Sequence, residues 1–335
     1  MFIPWYDPSV RLTGRWSNLD KSGAESVEAH NLTVATAPGA YFEAAFVGQQ
    51  CVLRFQTEGM AQPMPHLWIS VDQGAHIEVT VDRWIRVRAK TAGVHVVKVI
   101  YKSSMELIPR WHAPELGAIA FLGFEAEAPA QLPPDHRPII EFIGDSITEG
   151  VLIDESFSPI LTESQLNRPY QDDNCATYAA LTAEALNLRP VFQAYGAVGM
   201  TTTGQGGVPR AELIYPYVFG NTPYCGPEPS MILINHGAND RRHPADEYLQ
   251  RYGAFLDMVT RIHPSAHVVC LSAFCGAFHD ELRDFVEEYQ SRHNGKVHFI
   301  SSKGWVPEVP LHPLRDGHQI IAKKLTEELK KLFNL

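Results

Sequence analysis

The first third of the chain is a succession of short apolar runs: Tyr41–Val47, Cys51–Gln56, Leu67–Val71, Ile77–Val81, Trp84–Val87, Val94–Tyr101 and Ala118–Phe124. They are rich in β-branched and aromatic residues, and many are separated by Gly, Pro or turn-forming stretches such as Asp72–Gly74, which predicts strands. Partial alternation over Val94–Val99 predicts a sheet with one face buried and one wet. Amphipathic helical spacing is almost missing from this half, so the pattern points to an antiparallel sandwich or jelly roll.

A Pro-rich stretch follows, with Pro129, Pro133, Pro134 and Pro138, and predicts an extended connector. Residues 1–128 are therefore expected to form a β-sandwich, 129–137 a linker and 138–335 a second domain. Beyond the linker the periodicity changes. Apolar strands at Ile139–Ile143, Pro190–Tyr195, Met231–Asn235, His267–Leu271 and Val297–Ile300 alternate with helical spacing at Cys175–Leu186, Ala245–Ile262, Glu281–Arg292 and Gly317–Leu332. Alternation of this kind predicts βαβ units and a parallel sheet covered on both faces.

The length of 335 residues accommodates two such domains. A formal charge of −10 argues against general binding to a nucleic-acid backbone, while leaving room for a local basic cleft. No run approaches the ~18 apolar residues of a membrane helix, and the start, Met1–Asp7, lacks the basic-then-apolar pattern of a secretory leader. The expectation is a cytoplasmic protein without a membrane partner. Five cysteines, odd in number and without paired spacing, are expected to be reduced and mostly buried, with no metal site.

In a parallel α/β sheet the ligand crevice lies beyond the carboxyl ends of the strands, and four places there carry chemistry. Gly144-Asp145-Ser146 follows an apolar strand, exposing a hydroxyl at the rim; read alone it is more often a plain turn and helix cap. Gly196-Ala197-Val198-Gly199 follows the next strand, where glycine lets a backbone N–H approach a ligand, or simply makes a tight turn. Gly237-Ala238-Asn239-Asp240 ends a third strand, and Asn239 could aim an amide at a developing oxyanion. Pro313 biases His312 toward an extended loop conformation before the last helix.

Ser, Gly, Asn and His in this order, each at a strand end or before a helix, resemble the SGNH hydrolases, the GDSL-type esterases and lipases. The implied fold is a flavodoxin-like three-layer α/β/α domain with a parallel sheet. Arg11–Arg15 and Pro38–Gly48 are similar to the opening of the jelly-roll domain that precedes it in carbohydrate esterase family two, whose members deacetylate xylan and related sugars. The resemblance implies Ser146 as nucleophile, His312 as base, and an oxyanion hole of the Ser146 and Gly199 N–H groups with the Asn239 amide. It implies no cofactor, and an acyl-ester oligosaccharide as substrate. A lipid, aryl-ester or thioester hydrolase remains an alternative, as does a carbohydrate-binding protein with a decayed site.

One position departs from the family. Its members usually carry an Asp three residues before the histidine, where this chain has Val309, although family two includes enzymes that use only the dyad. A Ser146–His312 dyad steadied by a backbone carbonyl, Glu308 as a substitute acid, or another histidine such as His318 are the readings left open. Trp305 and Tyr195 are candidate platforms for a sugar ring, with core packing the competing role. Asp145 is expected to support its turn and Asp240 to cap the helix that follows it.

Overall fold

The computed structural model describes residues 1–20, 31–154, 168–292 and 295–334. Five parallel strands form a sheet in the order Arg189–Ala194, Ile139–Gly144, Met231–Asn235, His267–Leu271, Val297–Ile300. Numbered along the chain this order is 2-1-3-4-5, which reverses between Ile139–Gly144 and Met231–Asn235 and opens a crevice at their carboxyl ends. The central strands are buried throughout, as strands covered on both faces must be. On one face Ile140, Phe142 and Leu233 pack against Tyr178, Ala179, Ile321 and Leu325, from the helices Tyr178–Ala185 and Arg315–Phe333. On the other, Ile143, Ile232 and Ile234 meet Tyr252, Phe255 and Val286 of the helices Ala245–Ile262 and His279–Arg292. In Ala245–Ile262 the buried Tyr248, Tyr252, Phe255, Leu256 and Val259 recur at the spacing of one helical face.

The strands between Phe2 and Pro129 form one curled antiparallel sheet of ten strands. Two pairs of predicted strands are continuous here. Tyr41–Phe55 and Trp84–Ser103 pair along their lengths, with a register shift between Gly48 and Gln50 where Gly48, at φ 120°, lies opposite Gly93. The glycines that suggested a turn instead form a bulge that bends a long ribbon. The predicted helix over Cys175–Leu186 starts later, at Tyr178, because the Thr177 side chain accepts the Ala180 N–H and caps it there.

The two sheets share a core. Leu32, Val34, Trp111, Ala118 and Ala120 from the first half join the same apolar cluster as Tyr195, Met200, Val208 and Tyr215 from the second. Two ion pairs, each with both side chains only 2% exposed, cross the same boundary: Arg15–Glu141 at 2.8 Å and Arg110–Glu149. The Pro-rich connector begins as sheet, since Ala128–Pro129 pairs with Val47 and Phe46 and the Ala130 N–H donates to the Ala45 carbonyl. Cys51 and Cys270 are buried, Cys175 and Cys275 half-buried, and Cys225 exposed. Among the described residues no helix is long and apolar enough to cross a membrane.

Candidate active site

The strand Ile139–Gly144 delivers the chain to Asp145, whose carboxylate accepts the Ile147 N–H at 3.0 Å and caps the short helix Ser146–Glu149. Ser146 is the first residue of that helix, so its N–H has no partner within the helix. Its Oγ lies 2.8 Å from His312 Nε2. From the neighbouring strand, whose Asn235 pairs with Gly144, the turn beyond carries Asn239. Its amide donates to Asp145 Oδ2 at 3.1 Å and to the Val198 carbonyl at 3.1 Å, so Asp145 and the Gly196–Gly199 turn fix the side chain from two sides.

The Gly199 N–H donates to the Thr202 carbonyl at 3.0 Å, within its own loop. A Cβ at Gly199 would collide with the Asp240 carboxylate, which accepts the Met200 N–H, the Thr201 N–H (2.7 Å) and the Thr201 hydroxyl (2.6 Å). Asp240 therefore organises the glycine loop and caps no helix; the next helix, Ala245–Ile262, has Pro244 at its N-cap. Burial pushes the Asp145 carboxyl up to about 7, with Asp240 adding repulsion after the backbone bond from Ile147 offsets part of it.

His312 is held by its flanks. Leu311 packs on the core beneath the last helix, and Arg315 pairs with Asp154 through Nε and Nη2, each at 2.7 Å. The residue three positions earlier, Val309, is 81% exposed. Among the described residues neither a carboxylate nor a backbone carbonyl hydrogen-bonds the second imidazole nitrogen. Glu308 does not supply the acid: it is exposed and its carboxylate sits beside Gly276. His318 is no alternative base, since it is buried in the last helix, where its Nδ1 accepts the Tyr178 N–H at 2.9 Å and burial lowers its pKa to about 3. Tyr195 is also removed from the substrate candidates. Its ring is 1% exposed, packs edge-on against Trp111, and its hydroxyl lies 2.9 Å from Thr36 Oγ1. Trp305 is half-buried against the apolar cluster beneath the last helix.

Three charged residues near His312 escape a reading by motif. Glu106, from the segment after the strand Trp84–Ser103, occupies the space that a Cβ at Gly196 would need and pairs with Arg168 at 3.1 Å. Burial lowers the His312 pKa below its ordinary 6.5; Glu106 opposes this, while Arg168 and Arg241 add to it. No motif marks Glu106, because its proximity depends on how the first sheet docks. That docking has further contacts: Trp68 Nε1 donates to Asp173 Oδ1 at 3.0 Å and Lys102 Nζ to the Pro169 carbonyl at 2.6 Å. Among the described residues no three His, Cys, Asp or Glu side chains gather as metal ligands would.

A profile of the GDSL-like Lipase/Acylhydrolase family matches residues 142–320, more than half of the chain. The chain belongs to this family. Among relatives of this GDSL-like protein, "Cellulase/esterase CelE" of Acetivibrio thermocellus is 30% identical over 278 residues, covering 73% of this chain and 32% of that protein. The chain thus spans about a third of that relative's length. "Acetylxylan esterase / glucomannan deacetylase" of Cellvibrio japonicus is 24% identical over 259 residues, 72% of this chain and 68% of that one. In fold, the GDSL-like chain is similar to a family two carbohydrate esterase from Cellvibrio japonicus, with a TM-score of 0.77, 20% identity and coverage of 100% and 98%. That likeness extends over both sheets, so the parallel SGNH-type layer and the curled jelly-roll layer occur together in both. The profile spans Ser146, Gly199, Asn239 and His312, whereas Glu106 and Arg110 lie in the half outside it.

Proposed function

We propose that this protein is a serine carboxylic ester hydrolase that removes acetyl groups from a carbohydrate. The observation that carries the reading is the 2.8 Å contact between Ser146 Oγ and His312 Nε2, beside the fixed amide of Asn239. Serine is a weak nucleophile at its free pKa and needs a base within hydrogen-bond reach. His312, kept neutral near pH 7 by its lowered pKa, takes the Ser146 proton as Oγ attacks the ester carbonyl. The tetrahedral oxyanion is stabilised by the Ser146 N–H and the Asn239 amide, which exchanges its bond to the Val198 carbonyl for one to the oxyanion. Gly199 contributes its N–H on the same terms, releasing the Thr202 carbonyl. Return of the proton from His312 to the sugar oxygen breaks the C–O bond and leaves acetyl-Ser146. Water, deprotonated by His312, then hydrolyses it.

The carbohydrate substrate is supported by relatives named cellulase/esterase and acetylxylan esterase, and by a similar structure described in complex with cellohexaose. An organophosphonate should add once to the wild-type protein and not to Ser146→Ala, as read by intact mass. Acetyl, butyryl and octanoyl esters of one alcohol then rank the acyl pocket. An unlabelled wild type, or a preference for octanoyl, would sink the deacetylase reading.

The acid limb of the kcat/KM profile reports His312 in the free enzyme. Its pKa is lowered, so the limb falls below pH 6.5. Glu106 raises that pKa and Arg241 lowers it, so Glu106→Gln shifts the limb to lower pH and Arg241→Gln to higher. A shift of both variants in the same direction would rule out this charge arrangement.

A further inference from the structure

Beyond Asn239 the turn continues as Asp240-Arg241-Arg242-His243 before the helix Ala245–Ile262. Asp240 is consumed by the glycine loop, and what remains at the surface is cationic. A cavity of about 320 Å³ is lined by Thr202, Asn239, Arg241, Arg242 and His243, a size that takes a small polar ligand. Three of the five lining residues carry or can carry positive charge, and none is acidic. In a chain with a formal charge of −10 this concentration of cations is local.

Asn239 both lines this cavity and donates to Asp145, the residue before Ser146, so a group bound there lies close to the reacting ester. Electrostatics agree: the Arg241 charge lowers the pKa of both Asp145 and His312. The Arg241 guanidinium donates through Nη1 to the Ala238 carbonyl, which anchors it while leaving other N–H groups for a ligand. Arg242 is exposed and has no ion-pair partner among the described residues. His243 is half-exposed, with Glu247 3.6 Å from its Nδ1, and Asp246 and Glu247 begin the following helix. These acids temper the positive field, so the cavity suits a singly charged anion better than a dianion.

We propose that this cavity is a subsite for a carboxylate, and that the enzyme acts preferentially on acetylated glycans carrying a uronic acid next to the acetylated sugar. The inference rests on the deacetylase reading above and adds to it the charge of the substrate. Arg241 and Arg242 would grip the planar carboxylate with paired N–H donors, while Thr202 faces the sugar hydroxyls and Asn239 keeps its amide for the oxyanion.

The test compares kcat/KM for acetylated xylo-oligosaccharides with and without a glucuronic acid branch. Wild-type enzyme at low salt should favour the acidic substrate by about tenfold, and about 0.5 M NaCl should erode most of that preference. In Arg242→Gln the ratio should fall toward one, and Arg242→Lys should restore part of it. Arg242 is the residue to substitute first, since Arg241→Gln also loses the bond that holds the Ala238 carbonyl. Free glucuronate should inhibit competitively at lower concentration than xylose or glucose 6-phosphate. A wild-type ratio near one, a ratio unmoved by Arg242→Gln, or stronger inhibition by the phosphate would each overturn the subsite. Failure to cleave either oligosaccharide or 4-nitrophenyl acetate would instead overturn the esterase reading itself.

Discussion

Alanine at Ser146 should lower kcat by about a millionfold, alanine at His312 should cost nearly as much, and the double variant should be no worse than either alone. The reason is that the two side chains perform one event. Without His312 the Ser146 hydroxyl keeps its proton, and without Ser146 the imidazole has no nucleophile to activate. Residues that act as a unit are grossly non-additive, and what survives their loss comes from oxyanion stabilisation and substrate binding. Acetate release from 4-nitrophenyl acetate and from acetylated xylo-oligosaccharide measures this directly. Losses that multiply in the double variant would mean the residues act separately, and the 2.8 Å contact would then not be the catalytic one. The unusual feature is that no described group orients the far nitrogen of His312. An orienting acid selects the imidazole tautomer and stabilises the imidazolium. Here Leu311 and Arg315 anchor the chain on either side of His312, and among the described residues the charge of Glu106 favours its protonated form.

Replacing Arg110 with alanine should destabilise the whole protein by about 3–5 kcal/mol, through a charge left alone in the core. Arg110 comes from the first sheet's half, is 1% exposed, and donates to the Thr36 carbonyl at 2.8 Å and to Glu149 in the helix that begins with Ser146. Its removal strands the Glu149 carboxylate, whose pKa burial already raises to about 7 even with the guanidinium beside it. The sign of the pH dependence follows. A carboxyl whose folded pKa exceeds its unfolded value is penalised by folding as pH rises above the unfolded value, and the penalty is relieved once it is protonated. Losing Arg110 raises the folded pKa further, so the stability deficit should be smaller at pH 5 than at pH 8. Denaturant melts at the two pH values measure it, and Glu149→Gln in the Arg110→Ala background should recover part of the loss at pH 8. A deficit independent of pH would show that lost packing, and not the stranded charge, dominates.

Much of the parallel layer is legible from residue pattern alone. Met231–Asn235, Ala245–Ile262, His267–Leu271 and Val297–Ile300 have the bounds that their periodicity predicts, because a strand buried on both faces and a helix with one apolar stripe each leave strong patterns. The antiparallel layer is less legible. Gly48 and Gly93 read as breaks but bend a continuous ribbon, since glycine signals permissive backbone without saying whether pairing stops there. Aromatic residues are the least legible, for a buried ring and a stacking platform look alike in sequence. Tyr195 belongs to the core, wedged between Trp111 and Thr36.

The order of the four polar blocks, the strand ends on which they sit and the lack of an Asp at position 309 are all properties of the linear chain. These are local matters, set by side-chain type and by which residues follow an apolar run. Folding in three dimensions is what makes Asp240 serve the glycine loop, lets Asp145 clamp Asn239, and brings Glu106 and Arg110 to the neighbourhood of Ser146 from more than thirty residues earlier in the chain. The same holds for the cations gathered beside Asn239. Such contacts arise from the docking of two sheets over a shared core, and neither spacing nor composition encodes the distance between residues that meet only when both are folded.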